Sequence, residues 1–106
     1  MYASVRTYRC DPAQFDEMVK IADEEFAGRI AEESGFRAYQ ILDCGDGNFV
    51  TVSEFDTREQ AEHSVEMAAE FVRDRLSEFD IERTDAKAGE ARVSVAAQEM
   101  LEPAHV

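Results

Sequence analysis

The sequence predicts an α+β fold of the ferredoxin-like βαββαβ type, in which a four-stranded antiparallel sheet carries two helices on one face. Residues 2–10 alternate apolar and polar side chains, as do the two segments flanking the corner Gly45-Asp46-Gly47-Asn48, and this is the pattern of β-strands. After the first and the third of these strands, apolar residues recur every three or four positions, as in amphipathic helices. Right-handed crossovers then place strand one beside strand three, with strand two outside it.

Charge is the most unusual feature of the composition. Among 106 residues, 24 are Asp or Glu and 11 are Lys or Arg, which gives a net charge of −13, and only Lys20 and Lys87 are lysines. This negative field opposes nucleic acids and anionic lipid surfaces, so neither is an expected partner. Two interpretations stay open: an ordinary acidic protein and, as the favoured one, a cytoplasmic protein of a salt-accumulating (halophilic) organism, in which salt screens the self-repulsion of the acidic surface.

The length fits a single domain, which we expect to span residues 1–96, followed by a tail of residues 97–106 that contains Pro103. No segment approaches the roughly 20 continuous apolar residues of a membrane helix. The N-terminus alternates and does not form the apolar run of a secretory signal. We therefore expect a cytoplasmic location and no membrane partner.

The first helix should begin at Asp11-Pro12, because Asp11 suits the N-cap and Pro12 the first helical position. It should end before Gly35, and we expect Gly35 to adopt the left-handed conformation that often follows the last helical turn. Over about four turns it should bury one apolar stripe. The stripe consists of Phe15, Met18, Val19, Ala22, Phe26 and Ile30.

The second helix should begin at Asp56-Thr57, because Glu59 and Gln60 each follow a possible cap residue at the spacing of a capping box. We expect one edge of its buried stripe to be Phe71. The stripe itself should consist of Ala61, Val65, Ala68, Val72 and Leu76.

The last strand should follow a connection. Residues 77–87 are charged and aperiodic, and we expect them to form this connection with Phe79 and Ile81 as possible anchors. Residues 89–96 alternate apolar and polar side chains, so we predict the last strand there.

The hairpin decides which side chains face the helices. A two-residue and a four-residue loop at Asp46-Gly47 give different pairings but the same assignment of faces. One face would carry Tyr39, Ile41, Val50, Val52 and Glu54. The other would carry Ser4, Arg6, Tyr8, Gln40, Leu42, Phe49, Thr51, Ser53 and Phe55. Two helices cover only one face, and this second set is too apolar for a freely solvated sheet, so we predict a homodimer in which it meets its copy.

Cys10 and Cys44 are the only cysteines, and neither has a metal-type spacing. The predicted sheet places both at the same edge, two strand spacings or about 10 Å apart. That distance exceeds the roughly 7 Å within which two Cα atoms can be bridged. We therefore expect no disulfide within the chain and two small buried thiols.

Three motifs carry a resemblance to a known family: Gly35-Phe36-Arg37, the corner at residues 43–47, and Phe55-Asp56-Thr57 before the second helix. Over residues 2–96 the chain resembles the antibiotic biosynthesis monooxygenase-like family of dimeric α/β barrels. The resemblance implies a homodimer with a small-molecule cavity between the sheet and the helices of each protomer. Some members of that family oxidise aromatic polyketides or quinols with oxygen and without metal or flavin, others degrade haem, and many have no established activity.

The chain departs from the family at two positions. Oxygenase members often place Trp just before the second helix and His inside it, where this chain has Phe55 and Ser64, and the chain contains no Trp. His63 is one residue out of step, about 200° around the helix from Ala61, so we expect it on the surface. His105 lies in the predicted tail. Without an inward histidine, haem has no obvious axial ligand.

A phenol and a carboxylate are the candidate catalytic groups. On the face assigned to the cavity, Tyr39 and Glu54 would orient and deprotonate a phenolic substrate, and burial would raise the pKa of the carboxylate. Electron transfer from the resulting phenolate to oxygen needs no cofactor, and we expect neither a cofactor nor a metal. The competing interpretation is structural, with Tyr39 a satisfied core aromatic and Glu54 paired with Arg9. The candidate ligand-binding residues are Thr7, Arg9, Phe26, Met67 and Phe71.

Two functions of different classes therefore stay open, and whether the chain is an enzyme is undecided. One is a cofactor-independent monooxygenase that acts on a small aromatic or quinol. The other is a non-catalytic dimeric module that binds a small molecule or acts through its dimer surface. Haem binding is the least favoured alternative.

Overall fold

A computed structural model describes residues 1–97 of the chain. The strands are β1 (Tyr2–Arg9), β2 (Phe36–Gly45), β3 (Asn48–Phe55) and β4 (Glu82–Glu90). The helices are α1 (Phe15–Glu25), α2 (Ala27–Ala31) and α3 (Arg58–Arg75), with 3₁₀ turns at Pro12–Gln14 and Ser77–Phe79. All strand pairs are antiparallel, in the order β2-β3-β1-β4. The predicted ferredoxin-like α+β fold is confirmed, including the place of strand one beside strand three.

The first helical region is interrupted, whereas the sequence predicted one continuous helix. Asp11 caps it as expected, because its carboxylate accepts a hydrogen bond from the backbone N–H of Ala13 at 2.9 Å. The cap leads into a 3₁₀ turn, and α1 begins only at Phe15. At Phe26 the helix is distorted, with φ at −110°, and α2 continues after it. The apolar stripe runs across the break, and Phe26, at the break itself, is buried.

A β-bulge at Cys44 changes the predicted faces of the hairpin. Asp46 and Gly47 form a two-residue turn with positive φ at both positions, and Gly45 pairs with Asn48. The next pair is Asp43 with Phe49, so Cys44 is an extra residue in β2. One extra residue moves the side chains of residues 38–43 to the opposite face relative to their partners, and a second register shift lies between Phe36 and Ala38.

Because of the bulge, side chains that the sequence assigned to opposite faces of the sheet lie on the same face. Tyr39 lies opposite Ser53, and Ile41 lies opposite Thr51. The side chains directed towards the helices are Ser4, Arg6, Tyr8, Tyr39, Ile41, Phe49, Thr51, Ser53 and Phe55. Those on the outer face of the sheet are Val5, Thr7, Arg9, Gln40, Leu42, Val50, Val52 and Glu54. Of the residues that the sequence assigned to the partner-facing side of the sheet, only Gln40 and Leu42 lie there. The assignment of the others is wrong.

Helix α3 begins as the sequence predicts. Thr57 accepts a hydrogen bond from the backbone of Gln60, and the Gln60 side chain accepts one from the Thr57 backbone, which forms a capping box. The buried stripe is shifted from the predicted one, because Phe71 lies inside it and Val65 and Val72 are only partly buried. The buried residues of this helix are Ala61, Ser64, Ala68 and Phe71.

Strand β4 lies earlier than predicted. Phe79 is buried and Ile81 partly buried, as expected for anchors, and the chain enters the strand at Glu82 directly after them. β4 is exposed along its whole length, and it pairs with β1 through backbone hydrogen bonds that need no apolar pattern. The alternating segment predicted as the strand is almost fully exposed, with Val93 90% and Val95 94% exposed.

The two cysteines differ in their surroundings. Both thiols are free, as predicted, but only Cys10 is buried. Cys44 is exposed because it is the bulged residue of the hairpin, so the expectation of a second buried thiol is wrong. Burial, assisted by the negative charge of Asp11, raises the pKa of the Cys10 thiol.

The remaining expectations concern the end of the chain and the membrane. Of the predicted tail 97–106, all but Ala97 lies outside the described residues. Within residues 1–97, none of the helices combines the length and apolar character needed to cross a bilayer.

Candidate functional site

A cavity of about 30 Å³ lies between the helices and the central strands. A cavity of this size holds about two water molecules. Helices α1 and α3 and the chain that follows α3 form one side of it. The residues that line it from the sheet are Arg6, Tyr8, Tyr39, Ile41, Phe49 and Thr51.

Arg6 is the most deeply buried polar side chain at this cavity. It lies in the middle of β1, a strand with a neighbour on each side, opposite Thr51 of β3 and Ala86 of β4. It is 1% exposed. Its Nη2 donates a hydrogen bond to Oγ of Ser53 at 2.9 Å. Its Nε and Nη1 are buried and have no hydrogen-bond partner within residues 1–97.

Thr51 places a second unpartnered group beside the guanidinium. The residue is buried, and its Oγ1 has no hydrogen-bond partner in the described part of the chain. Burying a hydroxyl without a partner is unfavourable, and burying an uncompensated charge is far more so. Native interiors contain few such atoms. The Arg6 guanidinium and the Thr51 hydroxyl therefore mark a place that can receive a polar group from a ligand.

Tyr39 adds a phenol to the same cavity. Its ring meets that of Phe26 edge to face, with ring centres 5.6 Å apart. Burial raises the pKa of Tyr39 to about 12, and the positive charge of Arg6 opposes this shift while the nearby Tyr8 adds to it. At neutral pH the phenol is uncharged, so it can donate a hydrogen bond but is a poor base.

Aromatic rings form much of the apolar wall. Phe26 packs against Phe71 with ring centres 5.0 Å apart. On the sheet, Tyr8 stacks on Phe49 at the same distance. Flat rings around a small group of polar atoms are typical of sites for flat, conjugated molecules.

The structure places only some of the predicted site residues at this cavity. Tyr39, Phe26 and Phe71 line it. Met67 packs against the core as a partly buried side chain but is not one of the lining residues. Their roles in binding or catalysis stay predictions.

The predicted positions of Glu54, Thr7 and Arg9 at the cavity are wrong. All three lie on the outer face of the sheet, because the extra residue Cys44 puts β1 and β3 out of phase with the Tyr39 side of the hairpin. Arg9 pairs with Glu82 at 2.8 Å, and not with Glu54 as the structural interpretation expected. The cavity therefore lacks the carboxylate that the sequence assigned to it.

Arg6 and Thr51 are the residues that the sequence analysis missed as site candidates. Both were assigned to the face that would meet a partner. The available signal was an arginine at an alternate position of a strand whose neighbours on the same face, Ser4 and Tyr8, are not charged. That signal would have been sufficient only if the helix-facing side of β1 had been known. The bulge concealed which side that is.

Within residues 1–97, no histidine, cysteine or carboxylate lines the cavity. His63 is exposed on α3, as predicted, and its Nε2 lies 3.0 Å from a carboxylate oxygen of Glu33. The described part of the chain contains no group of three or more His, Cys, Asp or Glu residues that could hold a metal ion.

A wider cleft of about 390 Å³ lies beside the cavity, between α1 and β2. Ile41 lines both spaces, so its side chain separates them in part. The cleft has the volume of ordinary small-molecule sites, which begin at about 300 Å³. Its polar lining residues are Asp16, Lys20, Asp23, Glu24 and Asp43.

Several solved structures have this fold over nearly their whole length. One is a proposed antibiotic biosynthesis monooxygenase from Deinococcus radiodurans, with a TM-score of 0.72 and 16% identity, covering 92% of this chain and 99% of that chain. The ActVA-Orf6 monooxygenase of Streptomyces coelicolor, in complex with nanaomycin D, has a TM-score of 0.66 and 18% identity over 92% of each chain. The haem degrader MhuD of Mycobacterium tuberculosis, with two haems bound in its active site, has a TM-score of 0.66 and 16% identity over 91% of this chain and 100% of that chain.

No protein-family model matches the sequence, and the search of curated proteins finds no match. The chain has the fold of antibiotic biosynthesis monooxygenases, which confirms the resemblance at the level of the fold. Proteins of one fold carry out unrelated functions, as the monooxygenase and the haem degrader illustrate. What this chain binds therefore depends on the side chains at its cavity.

Proposed function

We propose that the chain binds a small aromatic or hydroquinone molecule at this cavity and oxidises it with molecular oxygen, as a cofactor-independent monooxygenase. The observation that carries the proposal is the meeting of the Tyr39 phenol, the Arg6 guanidinium and a wall of aromatic rings in one buried space. The fold supports it, because a solved structure with the same fold is a monooxygenase in complex with a small molecule.

The reaction begins when a hydroxyl group of the substrate loses its proton. Glu54 lies on the other face of the sheet and Tyr39 is protonated, so the proton leaves to solvent and not to a side chain of the described cavity wall. Tyr39 donates a hydrogen bond that orients the substrate oxygen. The ionised hydroquinone then gives electrons to O₂. The products are a hydroxylated quinone and one water molecule, each with one atom of the O₂.

The two neighbouring spaces suit different parts of such a substrate. The 30 Å³ cavity takes a hydroxyl or carboxylate group but not a ring. The 390 Å³ cleft on the other side of Ile41 takes a ring. A change in the Ile41 rotamer would join them, and such side-chain changes are common when ligands bind.

Oxygen uptake with a panel of hydroquinones tests this proposal. We expect Tyr39→Phe to slow uptake at least tenfold, because loss of one oriented hydrogen-bond donor commonly costs 10²–10³ in rate. Glu54→Gln is the matched control and should react as the wild type does, since Glu54 lies outside the cavity. No uptake with any hydroquinone, or equal uptake by wild type and Tyr39→Phe, would contradict the proposal.

A second candidate function is a non-catalytic dimeric module, and the outer face of the sheet favours it. Val5 and Leu42 are 40% and 45% exposed, and Val50 and Val52 lie between them in the sheet. A second copy laid against this face would bury this apolar row. The homodimer is thus proposed through a face that shares Gln40 and Leu42 with the predicted one and otherwise consists of different residues.

Light scattering at native salt concentration tests the dimer. We expect twice the chain mass of 12.0 kDa for the wild type. Leu42→Glu should give monomers, because it places a charge in the contact. Ala69→Glu adds the same charge to the exposed side of α3 and should leave the dimer intact. A monomeric wild type excludes the dimer, and a dimeric Leu42→Glu excludes this face.

A further inference from the structure

We propose that the cavity recognises an oxyanion through Arg6 and Thr51. The oxyanion is the ionised hydroxyl of a phenol or enol, or a carboxylate, on a small conjugated molecule. This inference names the substrate class of the proposed function and rests on the cavity being its ligand site. It does not depend on turnover.

The charges around the cavity are the first argument. Among residues 1–97, Arg6 is the one charged residue that lines it, and the other lining residues are apolar, aromatic or hydroxyl-bearing. The chain contains 24 acidic residues, and none of the described ones lines this space. No charged side chain of the described cavity wall therefore compensates the positive charge, and an anion in the cavity would meet it at short range.

The unpartnered atoms are the second argument. Water could accept hydrogen bonds from Nε and Nη1 of Arg6, but a neutral molecule does not compensate a buried charge. An anionic oxygen accepts the same hydrogen bonds and also neutralises the guanidinium, which makes the bonds shorter and stronger. Thr51 lies directly opposite Arg6 in the sheet, so its free hydroxyl can donate to the same anion.

The shape of the cavity selects among anions. Its volume of about 30 Å³ matches a carboxylate or a single ionised hydroxyl and is small for a phosphate with its hydration. The guanidinium is planar, and so are carboxylates and phenolates. The rings of Tyr8, Phe26 and Phe71 stand around it and suit a flat, conjugated neighbour of the charged group.

A coloured phenol tests the inference with the full chain. The probe is 4-nitrophenol, whose ionised form absorbs visible light, titrated with pH in the absence and presence of excess protein. If Arg6 holds the anion, the bound probe ionises about one pH unit or more below the free probe, because a charge-assisted hydrogen bond favours the ionised form about tenfold to a hundredfold. Acetate, which is small enough for the cavity, should compete with it.

The variants separate Arg6 from a general effect of charge. Arg6→Met keeps much of the side-chain volume, and we expect it to abolish the shift in ionisation and to weaken anion binding about tenfold to a hundredfold. Arg9→Met is the matched control, because it removes the same charge from the same strand on the opposite face. Thr51→Val is nearly isosteric and should weaken binding several-fold. If Arg6→Met does not fold, the ionisation shift and the anion binding of Arg6→Lys and Thr51→Val are compared with those of Arg9→Met instead.

The outcomes distinguish this inference from the proposed function. Anion binding that is lost in Arg6→Met and kept in Arg9→Met supports the inference, and if oxygen uptake is then absent, only the proposed function fails. Oxygen uptake that is equal in wild type and Arg6→Met, without preferential binding of the ionised probe, overturns the inference and leaves the proposed function standing. If the bound and the free probe ionise at the same pH, ordered water alone hydrates Arg6, and the inference is also overturned.

Discussion

Arg6 differs from every other basic residue of the chain. The other ten Lys and Arg residues are exposed, and several of them form surface ion pairs such as those of Arg9 with Glu82 and Arg75 with Glu25. Such exposed pairs contribute about 0–1 kcal/mol each, so their loss is tolerated. A buried, partly unpartnered guanidinium is costly to the fold. Residues of this kind are typical of functional sites, where a protein retains a destabilising group for its chemistry.

Tyr39 makes a prediction about stability at alkaline pH. Its pKa of about 12 in the folded chain exceeds the ordinary value of 10.0 in the unfolded chain. Between these values the unfolded chain releases the proton first, so rising pH favours unfolding. The stabilisation from this phenol is complete below pH 10 and is lost as pH rises through 12, by roughly 3 kcal/mol at most.

Denaturant unfolding of wild type and Tyr39→Phe between pH 8 and pH 12 measures this contribution. The wild type should lose more unfolding free energy than the variant over the alkaline range, because Phe cannot ionise. Other tyrosines and the lysines titrate in both proteins and cancel in the difference. Parallel curves would show that the Tyr39 hydroxyl is solvated and is not a buried donor of the cavity.

At the scale of elements, the bulge in the β2–β3 hairpin assembles the site. Because Cys44 is inserted before the turn, Tyr39 shares a face with Thr51, and Thr51 lies opposite Arg6. Without the extra residue, Tyr39 would share a face with Val50 and Val52. At the break between α1 and α2, the ring of Phe26 packs against Tyr39.

The hairpin tip is held against the end of β1, and Gly47 makes that contact possible. The backbone N–H of Cys10 donates to the carbonyl oxygen of Gly47 at 2.9 Å. Gly47 has φ of +82°, and a Cβ on it would collide with the carbonyl oxygen of Cys10. Gly45 has a similar φ of +89°, but a Cβ there meets nothing.

Two alanine variants separate the collision from the backbone strain. Gly45→Ala should cost about 1–2 kcal/mol of unfolding free energy, which is the strain of left-handed backbone alone. Gly47→Ala should cost at least about 1 kcal/mol more, because the end of β1 must also move. Denaturant melts of both variants check this. Equal costs would mean that the tip does not pack against β1.

Elements with strong local signals were predicted well from the sequence, and the site was not. Asp11 and Thr57 fix the starts of helices through short-range hydrogen bonds, so their residue types sufficed. Cys44 has no property that marks it as a bulge, yet this one residue reversed the faces of β3 and β1 relative to Tyr39. β4 was misplaced because an edge strand held by backbone pairing needs no apolar alternation.

For the whole molecule, the net charge of −13 sets the response to salt. With this net charge, the acidic side chains repel one another in the compact folded state, and salt screens that repulsion. If the acidic composition is an adaptation to a salt-rich interior, as we propose, molar KCl should raise the melting temperature at neutral pH by several degrees.

Thermal melts at low and molar KCl measure this effect, and pH provides the control. Near the sequence pI of about 4.4 the net charge approaches zero, so stabilisation by KCl should largely disappear there. The same increase at both pH values would point to a general salting-out effect on apolar burial. No increase at neutral pH would exclude the salt adaptation.

The central claim is that Arg6, on the helix-facing side of the sheet, binds the anionic group of a ligand. The most direct measurement follows the side-chain Nε–H signals of ¹⁵N-labelled protein by NMR during a titration with acetate, with Arg6→Met and Arg9→Met to assign the two resonances. We predict that the Arg6 resonance shifts and saturates while that of Arg9 stays unchanged. An unchanged Arg6 resonance, or equal shifts of both, would contradict the claim.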